Sequence, residues 1–164
     1  SPMANKISIR RPKLEELNRV IRITKQAYKV PFRKGGRVTG IAESPDFVSK
    51  YKNKEFEILV LVLNGKIIGS VRYFYPKKDR LYFHKLAVLK SFRNRGIAAK
   101  LIKRVEKIAK NKKVKMVILD CMKEKELPGF YKKLGYKISR TIFKKSKSKK
   151  HSGYHEVRMY KIIQ

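Results

Sequence analysis

The spacing of apolar and polar positions changes period several times along the chain, and each change marks an element. Residues 6–10 alternate, with Ile7 and Ile9 between polar neighbours, and the run stops before Pro12, which predicts a short strand. Leu14, Leu17, Val20, Ile21, Ala27 and Tyr28 then keep a helical repeat, predicting a helix over 13–28, with Pro31 beyond its end. Residues 32–40 hold Arg33, Lys34, Gly35, Gly36, Arg37 and Gly40 and read as a basic loop. Ser44-Pro45-Asp46 places an N-cap serine before a proline at the first helical position, so a short helix is expected to about residue 52. Residues 56–63 are almost continuously apolar, as in a strand buried on both faces. Asn64-Gly65 is a two-residue hairpin signal, and its partner strand is expected over 67–75, ending at Pro76. After a turn at 77–79, the next strand spans 81–88.

The stretch 86–104 organises the rest of the chain. It leaves the strand, turns at Arg93-Asn94-Arg95-Gly96, and continues as a helix to about 111, with Ile97, Leu101, Val105 and Ile108 on one face. An apolar strand at 114–121 comes next, and the helical crossover before it predicts parallel pairing. Pro128 opens a short helix through 134, which Gly135 ends at C′. Residues 136–143 and 154–162 read as two closing strands around the lysine-rich loop 144–150. No internal repeat or linker divides the sequence.

A turn that opens a helix presents N–H groups without intrahelical partners, and together with the helix dipole these make an anion site. Gly96 has no Cβ and lets the backbone approach a ligand, Ala98 is nearly as small, and Arg93, Arg95 and Lys100 add positive charge. The pattern Arg93-x-x-Gly96-x-Ala98 resembles the Arg/Gln-x-x-Gly-x-Gly/Ala signature of the GNAT family of N-acetyltransferases. A second segment, Phe130-Tyr131-Lys132-Lys133-Leu134-Gly135-Tyr136, is similar to that family's Phe/Leu-Tyr-x-Lys-Leu-Gly-Phe/Tyr helix. The element order β-α-α-β-β-β-loop-α-β-α-β-β matches the family over nearly the whole chain. The resemblance implies an α/β (α+β) fold with a mixed, mostly antiparallel sheet of about seven strands and four helices. It also implies acetyl-CoA as co-substrate, with Leu86, Ala87 and Val88 along the pantetheine arm and Arg93, Asn94, Arg95, Gly96, Ile97, Ala98 and Ala99 around the pyrophosphate. One position departs from the pattern: Glu124 stands where many members carry Asn seven residues before the helical tyrosine, which puts that residue's contact with CoA in doubt.

Acetyl transfer to an amine requires removal of a proton from the amine, stabilisation of a developing oxyanion, and protonation of the leaving thiolate. The resemblance gives Tyr131 the acid role, and a phenol remains protonated at neutral pH. His84 is the candidate base, because an imidazole titrates near neutrality; Tyr82 and Asp120 are the alternatives. The segment 81–88 followed by Ser91-Phe92-Arg93 is also similar to arylalkylamine N-acetyltransferases, which place a histidine there. The family further implies the Val88 N–H as an oxyanion donor. Cys121 reads as a core residue, since direct transfer needs no nucleophilic side chain.

Composition changes this picture only at the surface. The 164 residues are expected to form one domain over 4–164, with Ser1-Pro2-Met3 read as a tag remnant and start methionine. Hydrophobic content of 42% fits a globular chain, and no apolar run approaches the ~20 residues that span a bilayer. The single cysteine excludes an internal disulfide and fits a cytoplasmic protein. His84, His151 and His155 are too scattered for a metal site. The charge of +32, from 44 Lys+Arg against 12 Asp+Glu, predicts attraction to polyanions. The rival to an enzyme is therefore a non-catalytic GNAT-like domain with a basic nucleic-acid-binding surface. The expected partners are otherwise acetyl-CoA and an amine acceptor, a small amine, peptide or protein, met by a monomer or homodimer. Arg33, Lys34 and Arg37 in one loop, and the lysines of 144–150 in another, are expected to border the acceptor groove and steer an anionic acceptor.

Overall fold

The computed structural model describes residues 5–28, 45–146 and 152–163. Pro31, the basic loop at 32–40, Ser44, and Lys147, Lys149 and Lys150 of the second basic loop lie outside the described residues.

Seven strands, β1 (Ile7–Arg10), β2 (Glu57–Leu63), β3 (Lys66–Lys77), β4 (Arg80–Val88), β5 (Met116–Met122), β6 (Lys137–Lys144) and β7 (Tyr154–Ile162), form one sheet in the order β1-β2-β3-β4-β5-β7-β6. All neighbours are antiparallel except β4 and β5, which the crossover helix makes parallel. Four α-helices lie among the described residues: α1 (Leu17–Ala27), α2 (Phe47–Lys52), α3 (Ile97–Asn111) and α4 (Leu127–Lys133).

The sheet's two faces carry different helices. Tyr73 pairs with Phe83, and Phe83 packs its ring against Tyr131 of α4 and against Tyr136. The opposite face carries Arg72, which pairs with His84, reaches Thr24 of α1 and lies over the Phe47 ring of α2 at 4.7 Å. Residues one apart on a strand face opposite ways, so α3 and α4 cover one side and α1 and α2 the other. α3 sits close because β3 offers bare backbone beneath it. A Cβ on Gly69 would stand 3.2 Å from the Ala87 carbonyl oxygen and 3.3 Å from the side chains of Ile97 and Leu101.

β4 and β5 pair only at Arg80–Met116, Leu81–Val117 and Tyr82–Ile118. In β4 the ladder to β3 shifts between Ala87 and His84, where Lys85 takes φ 55°. The extra residue bends β4 at this bulge. Beyond Tyr82 the two strands have no shared ladder, and a cleft opens between them.

Element edges differ from the sequence reading where side chains intervene. The first helix divides into a 3-10 turn at Leu14–Glu16 and α1, because the Glu16 carboxylate accepts from the Lys13 backbone N–H. α2 begins at Phe47 with Asp46 as its N-cap rather than at Pro45. β3 runs past Pro76 to Lys77, with the proline accommodated by a register shift between Phe74 and Lys77. β6 begins after Tyr136, whose hydroxyl turns inward to donate to Glu106 at 2.8 Å.

Arg10 binds Glu16 with two hydrogen bonds of 2.8 and 2.9 Å. These bonds hold the Glu16 carboxyl at about 2, below its ordinary 4.5, against the opposing effect of burial. A carboxyl lowered by folding contributes its stability above the unfolded value and loses it as pH falls through the folded one. The melting temperature should therefore decline between pH 4.5 and about 2, and Glu16→Gln should flatten that part of the curve. Parallel acid melts of the variant and parent would exclude the contribution.

Candidate active site

Two cavities occupy the cleft. The larger, about 710 Å³, is lined by the end of β4 (Leu86, Ala87, Val88), by Arg93, Asn94 and Gly96 of the turn, and by Ile97, Ala98 and Ala99 at the start of α3. Asn94 and Gly96 adopt φ 63° and 75°, and Gly96 is the N-cap of α3 with no side-chain cap bond. The backbone N–H groups of the first helical turn therefore have no intrahelical acceptor and stand at the cavity wall. No other described part of the chain lies within 4 Å of where a Gly96 Cβ would stand. Arg93 ties this turn to the strand through Nε, which donates to the Val88 carbonyl at 3.3 Å. Arg95 is not in the wall; its guanidinium lies 5.3 Å from the centroid of the Phe92 ring. The arrangement suits a long ligand whose anionic group meets the helix start and whose tail runs along β4.

The smaller cavity, about 290 Å³, is lined by Tyr82, Phe83, His84 and Lys85 of β4, by Leu119, Asp120, Cys121 and Met122 of β5, and by Tyr154 and Glu156 of β7. The two cavities share Tyr28, Leu86, Lys125, Leu127 and Tyr131. A reaction between a ligand in one and a ligand in the other has to occur at this shared wall.

Tyr131 is 6% exposed, with its ring packed on Phe83, Phe130 and Tyr136. No described residue hydrogen-bonds its hydroxyl. Burial pushes its pKa up strongly, with nearby Tyr28 and Cys121 adding to the shift, so the phenol keeps its proton across the neutral range. Tyr28 donates its hydroxyl to the Leu86 carbonyl at 3.0 Å, which holds α1 to the strand at the bulge, and burial pushes its pKa up to about 12.

His84 lies among aromatic rings, 5.7 Å from Phe74 and 5.6 Å from Tyr82 between centroids. The two alternative bases are occupied. The Tyr82 hydroxyl donates to Asp120 Oδ2 at 3.0 Å, and Arg158 grips Asp120 through Nε and Nη2 at 2.9 and 3.0 Å. Burial, then Asp120, raises the Tyr82 pKa, so its phenol is no base at neutral pH. The Cys121 thiol is pushed up to about 12 by burial and by Asp120, which keeps it from being a nucleophile.

Several wall residues were not singled out by the sequence reading. Tyr28 counted there only as a helical core position, Phe92 and Phe130 only as members of the quoted motifs, and Leu127 is an apolar residue with no signal of its own. Lys125 neighbours Glu124, the position that departs from the family pattern. Burial and the charge of Arg93 lower the Lys125 pKa. Glu124 itself points away from the larger cavity: it accepts from the His155 backbone N–H and bonds His155 Nδ1 at 2.6 Å, pinning the start of β7. Among the described residues, no group of His, Cys, Asp and Glu is placed to hold a metal ion, and no helix is long and apolar enough to cross a membrane.

Residues 20–136 match the family model described as "Acetyltransferase (GNAT) family". Solved structures of similar architecture include the ribosomal-protein-S18-alanine N-acetyltransferase from Escherichia coli, at 14% identity and a TM-score of 0.77, covering 97% of this chain and 95% of that one. An N-acetyltransferase from Staphylococcus aureus Mu50 has 20% identity, a TM-score of 0.78 and coverage of 97% and 99%. The structure of yncA from Salmonella typhimurium, solved with its cofactor acetyl-CoA, has 12% identity, a TM-score of 0.78 and coverage of 97% and 95%. At these identities the likeness is one of fold. Among curated proteins, none matches the chain.

Proposed function

Since the chain belongs to the GNAT family of acetyltransferases, we propose that it transfers an acetyl group from acetyl-CoA directly to a primary amine, both ligands being bound at once. The observation that carries this reading is the pair of cavities meeting at Tyr131, the larger walled by the open start of α3. In this reading residues 4–164 act as one catalytic domain. The co-substrate's pyrophosphate meets the N–H groups of Ile97, Ala98 and Ala99, and its pantetheine arm runs along Leu86, Ala87 and Val88.

The amine enters through the smaller cavity and loses a proton to His84, directly or through water. Its nitrogen forms the new bond to the acetyl carbon as the carbon–sulfur bond breaks. The Val88 N–H stabilises charge developing on the acetyl oxygen, and Tyr131 protonates the departing thiolate. The protonated Cys121 supports direct transfer over an acetylated enzyme. The local resemblance to arylalkylamine N-acetyltransferases supports the role of His84.

The first experiment is a panel of amines with acetyl-CoA, monitored by thiol release; no acceptor-dependent release from any amine class would sink the reading. His84→Ala should flatten the acidic limb of the rate–pH profile, since a base acts only when neutral. An unchanged acidic limb in the variant would pass the role to ordered water.

A further inference from the structure

The charges around the smaller cavity are segregated. Tyr82 pairs with Ile118, Asp120 with Arg158, and Met122 with Glu156. Side chains two apart on a strand share a face, so Tyr82, His84, Asp120 and Glu156 lie on one side of the sheet. Asp120 and Glu156 line this cavity and not the larger one, on its β5–β7 side. The cationic residues of the lining lie toward the shared wall: Lys125 lines both cavities, and Lys85 places its Nζ 5.8 Å from the centroid of Tyr28, while Arg158 stands beside Asp120, 6.0 Å from the centroid of the Tyr82 ring.

The two carboxylates also differ. Asp120 gives both oxygens to Arg158 and one also to Tyr82, so its charge is met within the protein. Glu156 is half-buried and makes no side-chain hydrogen bond or ion pair with any described residue. Arg158, two residues along β7, spends Nε and Nη2 on Asp120. Aromatic rings of Tyr82, Phe83 and Tyr154 complete the surroundings. Glu156 feels the charge of Arg158 without bonding it, so two carboxylates face one guanidinium, and the negative charge left over in an aromatic cavity of a chain carrying +32 is a selective place for a cation.

We propose that the acceptor is a compact diamine, with one nitrogen attacking at the shared wall and a second, protonated nitrogen held by Glu156. This rests on the acetyl-transfer reading above and adds the acceptor class to it. The cavity volume of about 290 Å³ fits a short unbranched chain better than a peptide.

The test compares 1,5-diaminopentane, 1-aminopentane and 5-aminopentanoate, in the parent and in Glu156→Gln, by calorimetry and by steady-state thiol release. The parent should bind the diamine more tightly than the monoamine, and the amino acid most weakly. Glu156→Gln should weaken diamine binding about 10–100-fold, chiefly in KM during turnover, and leave the monoamine within about threefold. Absence of diamine binding, equal losses for all three ligands, or parent preference for 5-aminopentanoate would overturn the proposal. Glu156-dependent diamine binding without thiol release would keep this site and remove the transfer reading. Turnover of the monoamine with a diamine affinity insensitive to Glu156 would do the reverse.

Discussion

Gly96→Glu should abolish CoA binding in a chain that still folds. Gly96 holds φ 75° at the N-cap of α3, where a side chain other than glycine costs about 1 kcal/mol and lowers the melting temperature by a few degrees. A Cβ there meets no other described part of the chain within 4 Å, so the new side chain finds room without dislodging the core. That room is where the pyrophosphate is proposed to sit. The carboxylate occupies the N–H groups at the start of the helix and repels the pyrophosphate. Calorimetry with CoA, beside a circular dichroism melt, separates the outcomes. Gly96→Ala supplies the strain without the charge and should retain measurable binding. Unchanged CoA affinity in folded Gly96→Glu would place the pyrophosphate elsewhere and remove the central assignment.

Tyr131→Phe should lower kcat by about 10²–10⁴-fold while acetyl-CoA still binds. The ring is held by Phe83, Phe130 and Tyr136, and phenylalanine preserves all three contacts. The lost hydroxyl breaks no hydrogen bond to a described residue, so stability should change by less than about 1 kcal/mol. What disappears is a proton held at the junction of the two cavities. The raised pKa has a further consequence of definite sign: the acid stays protonated as pH rises, so the alkaline limb of the parent's profile below pH ~10 should not arise from Tyr131. Intact turnover on an acceptor that the parent uses well would reduce Tyr131 to a packing residue.

The fold was legible because its periodicities are clean and its connections short. Asn64-Gly65 announced the β2–β3 hairpin, and the apolar stripe of α3 announced the crossover that makes β4 and β5 parallel. The turn and helix start are contiguous in sequence, and of the positions named there all but Arg95 and Lys100 line the larger cavity. Of the smaller cavity, Tyr82, His84, Asp120, Cys121 and Tyr131 were named from the sequence, but the rest of the wall was not. Tyr28, Lys125 and Glu156 come from three separate elements, and only the sheet order and the bulge at Lys85 bring them to one cleft. Which carboxylate is hydrogen-bonded is likewise invisible in a sequence: Asp120 and Glu156 look alike until Arg158 is seen to bond one and only attract the other.

The strand order β5-β7-β6 constrains how the molecule assembles. β6 pairs with β7 and not with β5, so the later of the two strands must enter between two made earlier. During synthesis β1 to β4 emerge early and can pair as successive neighbours, whereas β5 waits with an open edge until Tyr154–Ile162 has left the ribosome. β7 then closes two ladders at once, and with it comes the wall that carries Glu156. Nascent chains halted before Tyr154 should therefore hold an incomplete sheet, prone to pairing with other chains along β5, and a protease-resistant product should arise only once the last strand is free to insert.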